Sequence, residues 1–216
     1  YNFFKQRNAN ISIEMILFYL NNNGLDIIEL MLKEKDNISN ILRAIFRSDS
    51  YGLLITLVNK YFDINDILCL CIDLGSLKGV KICIENGADI NFKDNYAIRK
   101  IMGDLCQDKE IFRFLVENGA NVKIDNEKPF LWTLSNNLLD LIPYFLRIDT
   151  NMNISSGYPL KWACQKGLVN IAESFIIRGA KIDNNNNEAL RIASKLGNYD
   201  LIKLLLNYGA DPHIDD

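Results

Sequence analysis

From Leu190 the small and apolar residues Leu190, Ile192, Ala193 and Leu196 recur at helical spacing, break at Gly197, and resume as Leu201, Ile202, Leu204, Leu205 and Leu206. That pattern predicts two short amphipathic helices separated by a glycine. The glycine falls where the first helix must stop, and a left-handed residue there costs glycine least. The arrangement returns upstream: residues 195–211 read KLGNYDLIKLLLNYGAD and residues 73–89 read DLGSLKGVKICIENGAD, and the two align without a gap. The ending recurs as Glu117-Asn118-Gly119-Ala120-Asn121 and Ile177-Arg178-Gly179-Ala180-Lys181, with a degraded copy at Leu146-Arg147-Ile148-Asp149-Thr150. Taking the glycine or its substitute as marker gives positions 87, 119, 149, 179 and 209, a step of 32 followed by three of 30. Gly75, Gly167 and Gly197 mark the stop between the two helices, and Asn137 stands at the corresponding place in another copy. Asparagine tolerates the left-handed conformation next best, so the substitution fits a backbone constraint.

Before residue 66 the pattern continues in weaker form. Residues 26–32 and 53–59 read as second helices, with Lys35 and Tyr61 at the glycine-equivalent places and steps of 26 residues between markers. Shorter steps predict shorter turns on intact helix pairs. The expected architecture is all-α: about seven stacked helix-turn-helix pairs, the first two or three divergent, with residues 1–65 as the divergent part and 66–216 as one continuous solenoid.

A period near 33 residues with two antiparallel helices and a projecting turn resembles the ankyrin repeat family. The likeness rests on GADI at 87–90, GANV at 119–122 and LLLNYGAD at 204–211. The family's Thr-Pro-Leu-His signature is poorly kept, with Tyr158-Pro159-Leu160-Lys161 the nearest copy, followed by Glu188-Ala189-Leu190-Arg191 and Lys128-Pro129-Phe130-Leu131. The Asn/Ile-rich composition and near-constant 30-residue step are similar to ankyrin proteins of giant, mimivirus-type viruses and, to a lesser degree, poxviruses; any AT-rich genome yields the same enrichment.

Composition narrows the chemistry. The chain has 216 residues, 49% hydrophobic and 24% charged, with a net charge of -3. Disorder would need fewer apolar residues, and a nucleic-acid surface would need clustered Lys and Arg. The apolar stretch from Ile11 to Leu20 is short and contains Glu14, so it reads as a buried helix rather than a membrane span. The five cysteines, Cys69, Cys71, Cys83, Cys106 and Cys164, are scattered through apolar runs and read as reduced core thiols in an intracellular, reducing compartment. Zinc would need a second Cys or His pair at ligand spacing, so no metal and no cofactor is expected. The single histidine, His213, sits in the tail and leaves no base for nucleophilic catalysis. An enzyme is not expected. Trp132 and Trp162 lie 30 apart and read as packing partners, with a stacking platform for bases or sugars as the alternative.

What remains is recognition by a surface. The resemblance implies a concave groove lined by the projecting turns and the ends of the first helices. Carried over residue by residue, the turns supply Phe92, Lys93, Asn95, Ile124, Asp125, Glu127, Ile154, Ser155, Gly157, Asn184, Asn185 and Asn187. The helix ends supply Ser135, Asn136, Gln165, Lys166, Lys195 and Leu196. Phe92 and Ile154 stand out, because a large apolar side chain at a turn tip is covered only by a partner, or else folds back on its own repeat. The likeness also implies that Asn91 and Asn153 occupy the position some asparaginyl hydroxylases modify; an asparagine there serves equally to cap the turn. The expected function is a non-catalytic protein-binding scaffold, a viral factor that captures a host protein. Two alternatives stand beside it: a structural or self-assembling component that uses the apolar Leu201–Leu206 end repeat, and the substrate-recruiting part of a ubiquitin-ligase adaptor. The expected partner is a protein, with no nucleic acid and no membrane, and the chain is expected to be a monomer or a weak homo-oligomer.

Overall fold

Left-handed residues set the ends of most of the helices in these pairs. Gly75, Gly167 and Gly197 have φ of 65, 70 and 64°, and Asn137 has φ 57°, as the sequence register requires. Gly87, Gly119, Gly179 and Gly209 end the second helices at φ of 91–94°. The alanine after each of these reaches back five residues: the amides of Ala88, Ala120, Ala180 and Ala210 donate to the carbonyls of Cys83, Leu115, Phe175 and Leu205 at 2.9–3.0 Å.

The computed structural model describes residues 13–21, 38–48, 52, 62–103 and 108–213. Its helices are α1 (Ile13–Asn21), α2 (Ile38–Arg47), α3 (Ile64–Asp73), α4 (Leu77–Glu85), α5 (Phe92–Ile101), α6 (Lys109–Glu117), α7 (Lys128–Ser135), α8 (Ile142–Arg147), α9 (Ile154–Gln165), α10 (Val169–Ile177), α11 (Asn184–Lys195) and α12 (Tyr199–Asn207), with a 3-10 turn at Leu139–Leu141 before α8. All described regular structure is helical. The second helices proposed over 26–32 and 53–59, with their markers Lys35 and Tyr61, and Cys106 lie outside the described residues.

The chain divides into two units, residues 1–121 and 122–216. In the first, α3 packs on α4 and α5, α6 packs on α4 and α5, and α1 packs on α2. Ile16, Ile41, Ile45, Ile67, Leu68, Cys71, Val80, Ile98, Ile111, Phe112 and Leu115 are buried there. Capping fits the sequence: Asp63, Ser76 and Asp108 accept amides of the first turns of α3, α4 and α6.

In the second unit α9 packs on α7, α10 and α11, and α12 packs on α10 and α11. Its core holds an aromatic cluster, with the Phe130 ring 5.1 Å from Phe145 and 5.9 Å edge-on from Phe175. Trp132 and Trp162 are 9% and 3% exposed, so both rings sit in the stack. No helix among the described residues is long and apolar enough to cross a membrane.

Candidate functional site

A three-residue left-handed turn enters the first helix of successive repeats, at Lys93-Asp94-Asn95, Asp125-Asn126-Glu127, Ser155-Ser156-Gly157 and Asn185-Asn186-Asn187. Their φ values run from 50 to 63° apart from Gly157 at 79°, and they keep the repeat's steps of 32, 30 and 30. Three consecutive left-handed residues are costly for most side chains, and Asn and Asp relieve the cost by local hydrogen bonding. This accounts for Asn185, Asn186 and Asn187 in the asparagine run.

These turns grip the next repeat. The backbone amide just after the repeat's terminal alanine, or Thr150 in its place, is taken by a side chain of the preceding repeat. Asp89 N–H donates to Asn65 Oδ1 at 2.7 Å, Asn121 N–H to Asn91 Oδ1 at 2.8 Å, Asn151 N–H to Glu127 Oε2 at 2.8 Å, and Lys181 N–H to Asn153 Oδ1 at 2.7 Å. At the last repeat Asn187 Nδ2 donates instead to the Asp211 carbonyl at 3.0 Å. Asn91 and Asn153 do this from the start of the turn. Where that position is Lys123 or Asp183, the third left-handed residue, Glu127 or Asn187, takes over. Asn153 also donates to the Gly179 carbonyl at 2.8 Å, so its side chain bonds both that carbonyl and the Lys181 amide.

Side-chain pairs tie the first helices together. Lys93 Nζ bonds Asp66 at 2.7 Å, and that contact raises the lysine pKa. Tyr96 donates to Asp73 at 2.6 Å, with Lys100 Nζ 3.3 Å from the same carboxylate. Burial, then the Asp73 bond, pushes Tyr96 up to about 12. In the second unit Lys161 pairs with Glu188 and lowers its pKa. Lys161 and Glu188 stand at the places of the signature His and Thr that this sequence lacks, and their ion pair joins α9 to α11.

The expected surface residues divide into three groups. Lys93, Asp125, Ser155, Asn185, Ser135, Gln165, Lys166, Lys195 and Leu196 are exposed, and Phe92, Glu127, Asn136 and Asn184 are half-buried. Ile124, Ile154, Gly157, Asn95 and Asn187 are buried. The isoleucines are therefore not turn tips. Val122, Ile124, Met152 and Ile154 alternate inward at the foot of the turn, and the tip is the left-handed triplet that follows. Phe92 holds the same position as Ile154 and turns partly inward, its ring 5.1 Å from Lys93 Nζ. At the third triplet position Asn95, Gly157 and Asn187 are buried and Glu127 is half-buried; a Cβ on Gly157 would collide with Asn184 Nδ2. The inter-repeat clamps were not foreseen. Their sequence signal is an Asn at 91 and 153, or a Glu or Asn four residues further along the turn.

Burial raises the Cys164 thiol to about 11, consistent with a packing role beside Ala163. Cys69 is half-exposed on α3 and also raised, by burial first.

The family model described as ankyrin repeats in three copies matches residues 130–216. Three curated proteins named as ankyrin repeat proteins are similar to this chain. One, from Acanthamoeba polyphaga mimivirus, is 25% identical over 155 residues, covering 68% of this chain and 37% of its own length. YahD of Escherichia coli (strain K12) is 27% identical over 158 residues, covering 66% of this chain and 79% of its own. A fowlpox virus (strain NVSL) protein is 20% identical over 149 residues, covering 62% of this chain and 35% of its own. The chain thus spans little more than a third of its two viral relatives. Ankyrin repeats are generally protein–protein interaction modules. Residues 130–216 thus match ankyrin repeats, and helix pairs of the same form recur from Ile64 onward, so the chain is similar to the ankyrin repeat family over most of its described length.

Proposed function

We propose that this chain is a non-catalytic scaffold that binds a protein partner through the outward side chains of its turns and first-helix ends. The carrying observation is a contrast between equivalent positions. Facing the interior, Leu115, Phe145, Phe175 and Leu205 are all large, apolar and buried. Facing outward, Ser135, Gln165 and Lys195 are exposed equivalents of changing chemistry, as are Asp125, Ser155 and Asn185. Residues that support no packing are free to be shaped by a partner. Leu196, 56% exposed at the end of α11, adds an apolar contact to this polar strip. Two of the relatives are viral, and in that setting the partner is a host protein met in a reducing compartment.

The test is affinity capture with the intact chain and with Gln165→Ala, Lys195→Glu and Leu196→Asp combined. The triple variant should keep its circular dichroism and unfolding midpoint yet lose the captured protein. Capture of the same protein at undiminished yield would reject the strip. Ubiquitin-ligase subunits in the captured set would extend the reading to substrate delivery.

A second reading, self-association, is favoured by the last repeat, where Tyr199, Tyr208 and Leu206 are 74%, 41% and 40% exposed. Light scattering over a concentration series should then reveal dimers that Tyr199→Ser with Leu206→Ser abolishes. A monomer at every concentration excludes it.

A further inference from the structure

The helix pair α3–α4 departs from the repeat's own packing rule at three positions at once. Cys71 corresponds to Thr133, Ala163 and Ala193, each of whose carbonyls accepts the amide five residues on, as the Cys71 carbonyl does from Ser76. Cys83 corresponds in the same way to Leu115, Phe175 and Leu205, and by the repeat's spacing to Phe145. Gly79, four residues before Cys83, corresponds to Ile111, Leu141, Ile171 and Leu201. A large apolar residue that elsewhere fills the hairpin interior is thus replaced by a thiol, the small residue opposite it by a second thiol, and a third apolar side chain by nothing.

The outcome is a facing pair. Cys71 Sγ lies 3.9 Å from Cys83 Sγ, with the two residues 0% and 1% exposed. Gly79 is what admits the Cys71 sulfur, since a Cβ there would lie 2.8 Å from it and 2.9 Å from the Phe46 ring. Phe46 of α2 fills the space the absent side chain leaves. A core that needed only bulk would keep leucine or phenylalanine here, as the other repeats do.

We propose that Cys71 and Cys83 form a buried dithiol that hydrogen peroxide converts to an intramolecular disulfide, locking α3 to α4. The sulfurs need close by less than 2 Å to reach the bonded distance of about 2.05 Å. A hydrogen bond joins the two thiols, and it is the chief cause that draws Cys83 below an ordinary thiol. Cys83, as thiolate, attacks one peroxide oxygen; the O–O bond breaks, and the departing hydroxide takes the released proton as water. Cys83 is left as sulfenic acid. Cys71 sulfur then attacks Cys83 sulfur, the S–O bond breaks, and the Cys71 proton leaves with that hydroxide as a second water. Two thiols lose two electrons and two protons, and one peroxide becomes two waters. Peroxide is small and neutral, and local opening of the α2 cover suffices to admit it.

The test is intact-mass and peptide mapping of the full chain after peroxide, with alkylation under denaturing conditions. The expected product has lost two hydrogens, regains them with dithiothreitol, and yields a linked peptide joining Cys71 to Cys83. It also unfolds at higher urea concentration than the reduced protein. Cys83→Leu, which installs the residue found at 115 and 205, should fold and show no such loss. Alkylation of both Cys71 and Cys83 after oxidation, or linkage through Cys69, Cys106 or Cys164 instead, overturns the proposal.

Discussion

Thr150 gives its hydroxyl, not its amide, to the Phe145 carbonyl, at 2.8 Å. In the other four repeats the same carbonyl is taken by the amide of an alanine. The difference traces to Asp149, which replaces the left-handed glycine and does not adopt its conformation: Ile148 is extended at ψ 164°, and the Thr150 amide turns away to the Ile148 carbonyl. The hydroxyl then closes the helix end.

Thr150→Ala, although it restores the alanine of the other repeats, should therefore destabilise the protein by about 1–2 kcal/mol, because it strips a partner from a buried carbonyl. Adding Asp149→Gly should recover most of that loss by letting the amide resume its usual bond. Urea unfolding of the single and double variants measures both. A harmless Thr150→Ala would show that the hydroxyl bond contributes nothing.

The repeat was legible because its markers are backbone constraints: Gly75, Gly87 and their equivalents sit where φ is positive, and even Asn137 obeys. The turn was misread for the opposite reason. Ile124 and Ile154 look like exposed tips when the turn is drawn as a loop, and only the left-handed triplet after them reveals that the chain has not yet left the core. The clamps from Asn65, Asn91, Glu127, Asn153 and Asn187 were hidden because they join residues 24 to 30 apart through whichever of two turn positions carries a suitable side chain. No single spacing betrays them.

Asn153 spans the Lys181 amide and the Gly179 carbonyl, so Asn153→Ala removes two bonds between neighbouring repeats. The expected loss is about 1–2 kcal/mol, and hydrogen exchange at the Lys181 amide should accelerate more than at interior helix amides. Asn153→Asp, which retains the acceptor, should restore protection at Lys181. Equal exchange in all three proteins would dismiss the clamp.

Asn186 is the middle residue of its triplet, exposed at φ 55°. Asn186→Gly should be neutral or slightly stabilising, since glycine accepts this conformation without a steric penalty. Asn186→Val should cost about 1–2 kcal/mol, a branched side chain being the worst suited to it. The sign of the difference in thermal unfolding decides the matter, and a valine variant as stable as the glycine variant would mean the turn is not left-handed in solution.

Tyr96 offers a readout of the tie between α3 and α5. Its pKa is raised to about 12 by burial and by the Asp73 carboxylate it donates to. Because the folded value lies above the unfolded one, near 10, the stabilisation from this phenol is complete below pH 10. It is then lost as the pH climbs through the folded value. The difference between ultraviolet titrations of the wild type and Tyr96→Phe isolates this one tyrosine, and its curve should lie alkaline of the bulk. Asp73→Asn keeps an acceptor but removes the charge, so Tyr96 should titrate earlier while burial still holds it above an exposed tyrosine. An unchanged curve would assign the whole shift to burial and leave the Asp73 bond without electrostatic weight.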